Sequence, residues 1–236
     1  KKLMYNLRFD WTRYPTDKAD LFLKVEGQQQ WVEVGHGYGR AYDKHLFASR
    51  EAVKKVLEIG TRPGSISLWL EYFPNAKIYG IDIIDPKVSH ERFAYEAVDQ
   101  SDRNQLTEFF KKHGSDFDII IDDGLHAAYE QQVTMDVGFD NLSPGGFYII
   151  EDMHCQREEE ENGPHHRATV NTNMNVYKLI EDFQMGVYDS CTEIKNTQLF
   201  KEKIQKIYVE TARNCRWITM SKPSEIIFIE KTLSSD

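Results

Sequence analysis

Long apolar runs, paired cysteines and a surplus of basic residues are all missing from this chain of 236 residues. No window approaches the ~18–20 uninterrupted apolar residues that a membrane helix needs, so no membrane span is expected. The opening stretch KKLMYNLRFDWTRYPTDK has neither the apolar core of a signal peptide nor an initiator Met, as in a processed form or a piece of a longer chain. Cys155, Cys191 and Cys215 are odd in number and show no C-x-x-C spacing. That disfavours a disulfide framework or a zinc site and reads as reduced thiols in a cytoplasmic protein. Lys and Arg total 29 against 38 Asp and Glu, for a net charge of -9. Such a balance speaks against a protein that tracks a nucleic-acid backbone. It favours a partner that is neutral, cationic or delivered with a metal.

What is present is enough apolar material, 40% of residues, to build one full-sized core. No internal repeat is visible, and the only biased segment is REEEENGPHHR at 157–167. Residues 1–50 read as an aromatic-rich, helical or lid-like segment of the same domain, ending in the helical YDKHLFASREA. From Lys54 short apolar strands alternate with amphipathic helices. KKVLEIG, AKIYGIDII, FDIIIDD and GFYIIED have the length and composition of buried strands, and EIIFIEK closes the chain in the same way. ERFAYEAVD reads as a strand or a helix–strand transition. SISLWLEYF, RNQLTEFFKKHG and AAYEQQVTMDVGFDNL read as helices, with SPGG as a turn. This alternation predicts an α/β fold with a mostly parallel sheet covered on both faces. Ligands on such sheets bind beyond the carboxyl ends of the strands, and these strands end at Gly60, Asp82, Asp99, Asp123 and Asp152.

The first loop, LEIGTRPGS, carries E-x-G-x-x-x-G between a strand and a helix. Gly60 permits a sharp turn and Gly64 a close backbone approach. No Gly-Lys-Ser/Thr follows, so this is not a P-loop, and it lacks the G-x-G-x-x-G of nicotinamide enzymes. Glu58 suits a ligand with a cationic group, and Asp82 at the end of the next strand suits the two hydroxyls of a ribose. The pattern resembles the class I S-adenosylmethionine-dependent methyltransferases from about Lys54 to Asp152. The resemblance implies a Rossmann-like, seven-stranded sheet, with residues 51–236 as the methyltransferase domain. It implies a cofactor site made of Glu58, Gly60, Thr61, Gly64, Ser65, Asp82, Asp99 and Gln100, the last two near the adenine or capping the next helix.

A second constellation lies in IIIDDGLHAAYEQQ and IIEDMH. Neighbouring parallel strands lie ~4.8 Å apart, so the acids at the two strand ends should converge, with His126 in the turn after the first. Converging carboxylates repel unless a hard divalent cation joins them. Asp122 reads as a strand-end scaffold residue. TDK at 16–18, HGYGRAY, VLEIG, IDDGLH and GGFYIIEDMH together resemble the metal-dependent sugar O-methyltransferases of macrolide tailoring, of the mycinamicin type. The resemblance implies Asp123, Glu151 and Asp152 as ligands of Mg²⁺ or Mn²⁺ and His126 as the general base. The family commonly has Ser where this chain has Leu125. The implied reaction moves a methyl group from S-adenosylmethionine to a sugar hydroxyl with a vicinal oxygen. The acceptor is a small-molecule or glycan sugar, and a homo-oligomer is compatible with the pattern. A catechol-type or other small-molecule O-methyltransferase, or a non-catalytic cofactor-binding domain of a larger glycan-building protein, fits the same motifs. Residues 155–175 would form a flap that selects the acceptor. Trp31, Tyr38 and Tyr42 read as core aromatics ahead of sugar-stacking ones.

Overall fold

The apolar runs pair side by side because each is too hydrophobic to face water and too short to be a helix. In the computed structural model, residues 8–18, 21–24, 31–153, 181, 185, 193–211 and 225–233 are described. The strands are β1 (Leu21–Lys24), β2 (Trp31–Val34), β3 (Lys55–Ile59), β4 (Lys77–Asp82), β5 (Phe93–Ala97), β6 (Phe117–Asp122), β7 (Leu142–Ile150), β8 (Ile204–Thr211) and β9 (Glu225–Lys231). The helices are α1 (Gly39–Leu46), α2 (Pro63–Tyr72), α3 (Arg103–His113), α4 (Ala128–Asp140) and α5 (Thr197–Glu202). β1 and β2 form a separate antiparallel pair, and the other seven strands form one sheet in the order β5-β4-β3-β6-β7-β9-β8. Strands β3 to β7 run parallel, while β9 lies antiparallel between β7 and β8. The expected mostly parallel, seven-stranded sheet with helices on both faces is present. Among the described residues no helix is long and apolar enough to cross a membrane.

The two-residue period of the strands divides the core. Ile119, Ile121 and Ile149 join Trp69, Tyr72 and Phe73 of the α2 side on one face of the sheet. Ile120, Tyr148 and Ile150 join Phe109, Met135 and Phe139 of α3 and α4 on the other. Each such fully buried side chain contributes about 1.5–3 kcal/mol of transfer free energy.

Local signals set the helix ends. Pro63 opens α2, where a missing N–H costs nothing. Asp102 caps α3 by accepting from the backbone N–H groups of Asn104 and Gln105, and Gly114 ends it at φ 92°.

Two local expectations change. Ser143–Gly146 is not a turn between elements but the irregular start of β7, with Gly145 at φ 74°. Pairing of β7 with β9 begins only at Phe147, so the N–H that Pro144 lacks interrupts no ladder on that side. The N-terminal region expected to be helical contains a 3₁₀ turn (Trp11–Arg13), the β1–β2 pair and α1. The proposed flap at 155–175, the three cysteines and the side chain of Trp31 lie outside the described residues.

Candidate active site

The register of the sheet brings the strand ends to one line. Ile59 pairs with Ile81 and Asp122, and Asp122 with Ile150. The next residues continue the ladder: Gly60 N–H donates to Ile81 O, Asp123 N–H to Ile59 O and Glu151 N–H to Asp122 O, all at 2.9–3.0 Å. Gly60, Asp123 and Glu151 therefore stand side by side at the carboxyl edge of the sheet, where the parallel alternation placed the ligand site.

Gly60 has a φ of 85°, and a Cβ there would lie 2.1 Å from Asp123 O. A Cβ on Gly64 would lie 2.2 Å from Pro15 O. The room expected for a ligand at Gly64 is thus taken by the N-terminal segment, which crosses the start of α2. That segment carries Lys18 into the site. The Lys18 ammonium is fully buried and lies 2.5 Å from Asp123 Oδ2, 2.8 Å from Glu151 Oε2 and 4.0 Å from Glu58 Oε1. Burial works to lower its pKa, but Asp123, Glu151 and Glu58 outweigh it and hold the group protonated well above the usual lysine range.

Tyr38 and Tyr42, four residues apart at the start of α1, present their hydroxyls on one face. The Tyr38 hydroxyl donates to Asp152 Oδ1 at 2.6 Å and accepts from the Asp152 N–H at 3.1 Å. That of Tyr42 donates to Glu151 Oε1. Both rings are fully buried, which agrees with the core reading, yet their hydroxyls fix the acidic pair. His36 adds a ring nitrogen 3.4 Å from Asp152 Oδ1. His126 Nε2 lies 3.3 Å from Asp152 Oδ2 and 4.0 Å from Asp123 Oδ1. His126 and Asp152 both hold positive φ, 60° and 56°. A left-handed backbone at a non-glycine residue costs on the order of 1–3 kcal/mol and tends to cluster at functional sites.

Asp123, His126 and Asp152 each offer one ligand atom, all within 4.8 Å of one another. Glu151, expected as a ligand beside them, is outside this group, and its two oxygens are engaged by Lys18 and Tyr42. His126, expected as a base alone, is inside it. Burial raises the pKa of both Asp123 and Glu151, with Lys18 opposing the shift. Glu58, Asp123 and Glu151 share the Lys18 ammonium, whereas Asp152 faces His36, Tyr38 and His126, which leaves Asp152 and the Oδ1 side of Asp123 toward His126. An oxygen-rich donor set with one imidazole fits Mg²⁺ or Mn²⁺.

The other expected residues divide into two groups. Glu58 is sealed in the core, where Ser65 Oγ donates to it at 2.7 Å and Trp69 Nε1 at 2.8 Å. Thr61 Oγ1 donates to Ile81 O at 3.2 Å, so Glu58, Thr61 and Ser65 all shape the glycine loop from behind. Asp82, Asp99 and Gln100 stay at the strand ends. Asp82 Oδ1 accepts from Ile84 N–H, Asp99 Oδ1 accepts from Ser101, and Gln100 Oε1 accepts from Leu125 N–H at 2.7 Å. Gln100 therefore braces the loop that carries His126. Asp122 is the scaffold residue it was read to be: fully buried, it accepts from the hydroxyls of Thr134 and Tyr148. Lys18, His36 and the roles of the two tyrosines were missed. T-D-K and H-G-Y-G-R-A-Y were visible as motifs, but nothing local says where their side chains go.

Burial pushes the Glu58 carboxyl up to about 7 from its ordinary 4.5, against the pull of Lys18. A carboxyl raised in the folded state lends stability that is fully present below about 4.5 and is lost as pH rises through about 7. Glu58→Gln should therefore flatten the fall in Tm across that window, which thermal melts at half-unit pH steps would measure. An unchanged slope would assign the fall to other groups.

A family model described as a methyltransferase domain matches residues 51–212. L-olivosyl-oleandolide 3-O-methyltransferase of Streptomyces antibioticus is 35% identical over 159 residues, 64% of this chain and 40% of that protein. Mycinamicin VI 2''-O-methyltransferase of Micromonospora griseorubida is 36% identical over 127 residues, 50% of this chain and 32% of that protein. The matches thus span less than half the length of these relatives. Among solved structures, MycE methyltransferase from the mycinamycin biosynthetic pathway, in complex with Mg and SAH, superposes with a TM-score of 0.60 at 25% identity. That match covers 83% of this chain and 49% of MycE. With the sheet order, the glycine loop and the family match in agreement, the chain belongs to the methyltransferase-domain family and has the class I, Rossmann-like fold.

Proposed function

We propose that this chain transfers a methyl group from S-adenosylmethionine to a sugar hydroxyl that has an oxygen on the neighbouring carbon, with a divalent cation and His126 as base. The observation that carries this reading is the meeting of Asp123, His126 and Asp152 beside the Gly60 loop. The named activities of the relatives, methylation of sugars on macrolides, point to the same acceptor class. The cofactor lies along the strand ends, with Gly60 shaping its cradle, Asp82 facing the ribose and Asp99 and Gln100 at the adenine, while Gly64 makes room for the N-terminal segment. Glu58, Thr61 and Ser65 act by holding the loop in shape.

Asp123 and Asp152 would hold the cation, with Glu151 next to them, engaged by Lys18 and Tyr42. When bound, Mg²⁺ or Mn²⁺ lowers the pKa of the acceptor hydroxyl and orients it. Asp152, fixed by Tyr38, lies 3.3 Å from Nε2 of the His126 imidazole and stabilises the positive charge the ring gains when it takes the hydroxyl proton. The acceptor oxygen then forms its bond to the methyl carbon as the carbon–sulfur bond breaks. The products are the methyl ether and S-adenosylhomocysteine, and proximity supplies much of the rate.

Mass spectrometry of deoxysugar glycosides incubated with cofactor, with and without Mg²⁺, tests the reading. Methylation that vanishes in EDTA and returns with Mg²⁺ is expected. EDTA-insensitive methylation would remove the metal from the scheme, and methylation of catechols but not glycosides would change the acceptor class. A calorimetric titration that shows no S-adenosylmethionine binding at about millimolar concentration would end the proposal.

A further inference from the structure

We propose that Lys18 is a built-in cation: its ammonium holds Asp123 and Glu151 together when no divalent ion is bound, and by sharing Asp123 with the donor group it limits how tightly that group binds one. The second clause rests on the functional reading above; the first does not.

Three acids reach the ammonium from three different strands: Glu58 within β3, Asp123 just after β6 and Glu151 just after β7. Parallel pairing forces these residues together whatever their charge, because the register is set by the apolar residues beneath them. A buried carboxylate without a partner is costly, and removing one member of a buried ion pair leaves that cost exposed. Lys18 arrives from the N-terminal segment, which is held in place away from these acids: Trp11 packs against Gly39, and Lys18 O accepts from Gly39 N–H at 3.0 Å. The lysine is thus delivered by apolar packing to the point where the acids meet.

The division of Asp123 is the telling detail. Its Oδ2 faces Lys18 at 2.5 Å, while its Oδ1 faces His126 at 4.0 Å on the donor side. Glu151 is engaged at Oε2 by Lys18 and at Oε1 by Tyr42, away from that side. One ammonium therefore separates a closed half of the cluster, Glu58 and Glu151, from an open half, Asp123, His126 and Asp152. A divalent ion on the open half shares Asp123 with a fixed positive charge and is repelled by it.

The test compares Lys18→Met with the wild type in EDTA and in millimolar Mg²⁺, by thermal melting and by Mn²⁺ titration calorimetry. In EDTA the variant should melt roughly 10 °C lower, and Mg²⁺ should recover most of the loss while moving the wild type little. Its Mn²⁺ Kd should tighten at least ten-fold, about 1.4 kcal/mol or more. A variant that melts like the wild type in EDTA, or that is destabilised with an unchanged or weaker Mn²⁺ Kd, overturns the proposal. If Lys18→Met does not fold in EDTA, the double variant Lys18→Met/Glu151→Gln, with one charge fewer to neutralise, should fold and bind Mn²⁺ more tightly than the wild type. Failure of the double variant to fold even with Mg²⁺ also overturns it. A wild type that binds no Mn²⁺ refutes the functional reading and the limit on affinity, whereas the EDTA melts still decide whether Lys18 holds the acids together.

Discussion

His126→Asn is expected to bind S-adenosylmethionine with unchanged affinity and to lose turnover by ~10²-fold or more. Asparagine suits the test because position 126 has φ 60°, a region that Asn enters more readily than most residues. Backbone strain is then roughly conserved, and the change falls on the group that accepts the proton. His126 sits beside Asp152 and Asp123, not within the Gly60–Ser65 loop, so cofactor affinity is the control. The imidazole is also one of three potential metal donors, so Mn²⁺ affinity should be measured alongside turnover. Loss of turnover with Mn²⁺ affinity retained identifies a base. Equal loss of both makes His126 a ligand, and unchanged turnover moves the base elsewhere.

Gly60→Ala should be the most damaging single methyl in the site. The added carbon would lie 2.1 Å from Asp123 O and 2.6 Å from both Asp123 C and Gly124 Cα. All three are backbone atoms, so no side chain can swing aside. The φ of 85° adds strain of its own. Backbone strain of about 1–2 kcal/mol and overpacking of about 1–3 kcal/mol together give a loss on the order of 3 kcal/mol. For a chain of this size that is roughly a 6–12 °C drop in Tm, readable by circular dichroism. The same displacement would move Asp123, so Mn²⁺ affinity should fall with stability. A variant that keeps both would mean the β6 loop is more compliant than the packing indicates.

These two positions also show what kinds of information the chain carries locally. Gly60 was identifiable because a glycine straight after an apolar strand and before a helix has few other uses. The structure changed the reason: the glycine admits the backbone of Asp123. His126 and the acids at 122–123 and 151–152 were identifiable because charge abruptly ends an apolar run. Which acids face the donor side was not identifiable. Glu151 and Asp152 are adjacent in sequence, yet Glu151 faces Lys18 and Tyr42 while Asp152 faces His36, Tyr38 and His126. The positive φ of Asp152 accompanies this split, and no local pattern announces it.

Lys18 illustrates the same limit from the other end. It meets Asp123 across 105 positions of sequence and Glu151 across 133. A lone lysine in an N-terminal segment ordinarily reads as solvated surface, since lysine is almost never fully buried without a partner. Glu58 likewise looked like a ligand for a cationic group, whereas Ser65 and Trp69 hold it in the core.

The sequence by itself determined the alternation of strands and helices, the parallel sheet, the edge at which a ligand site must lie and the residue types gathered there. Those properties follow from period, length and chain-breaking residues, all of which act over a few positions. Only the tertiary structure decided how the acids are shared out: Asp122 to Thr134 and Tyr148, Glu58 and Glu151 to Lys18, Asp152 to Tyr38 and His126. The reason is physical. Backbone pairing places residues on a line, but the direction of a buried charge is set by whichever partner offsets its desolvation, and here those partners come from distant parts of the chain.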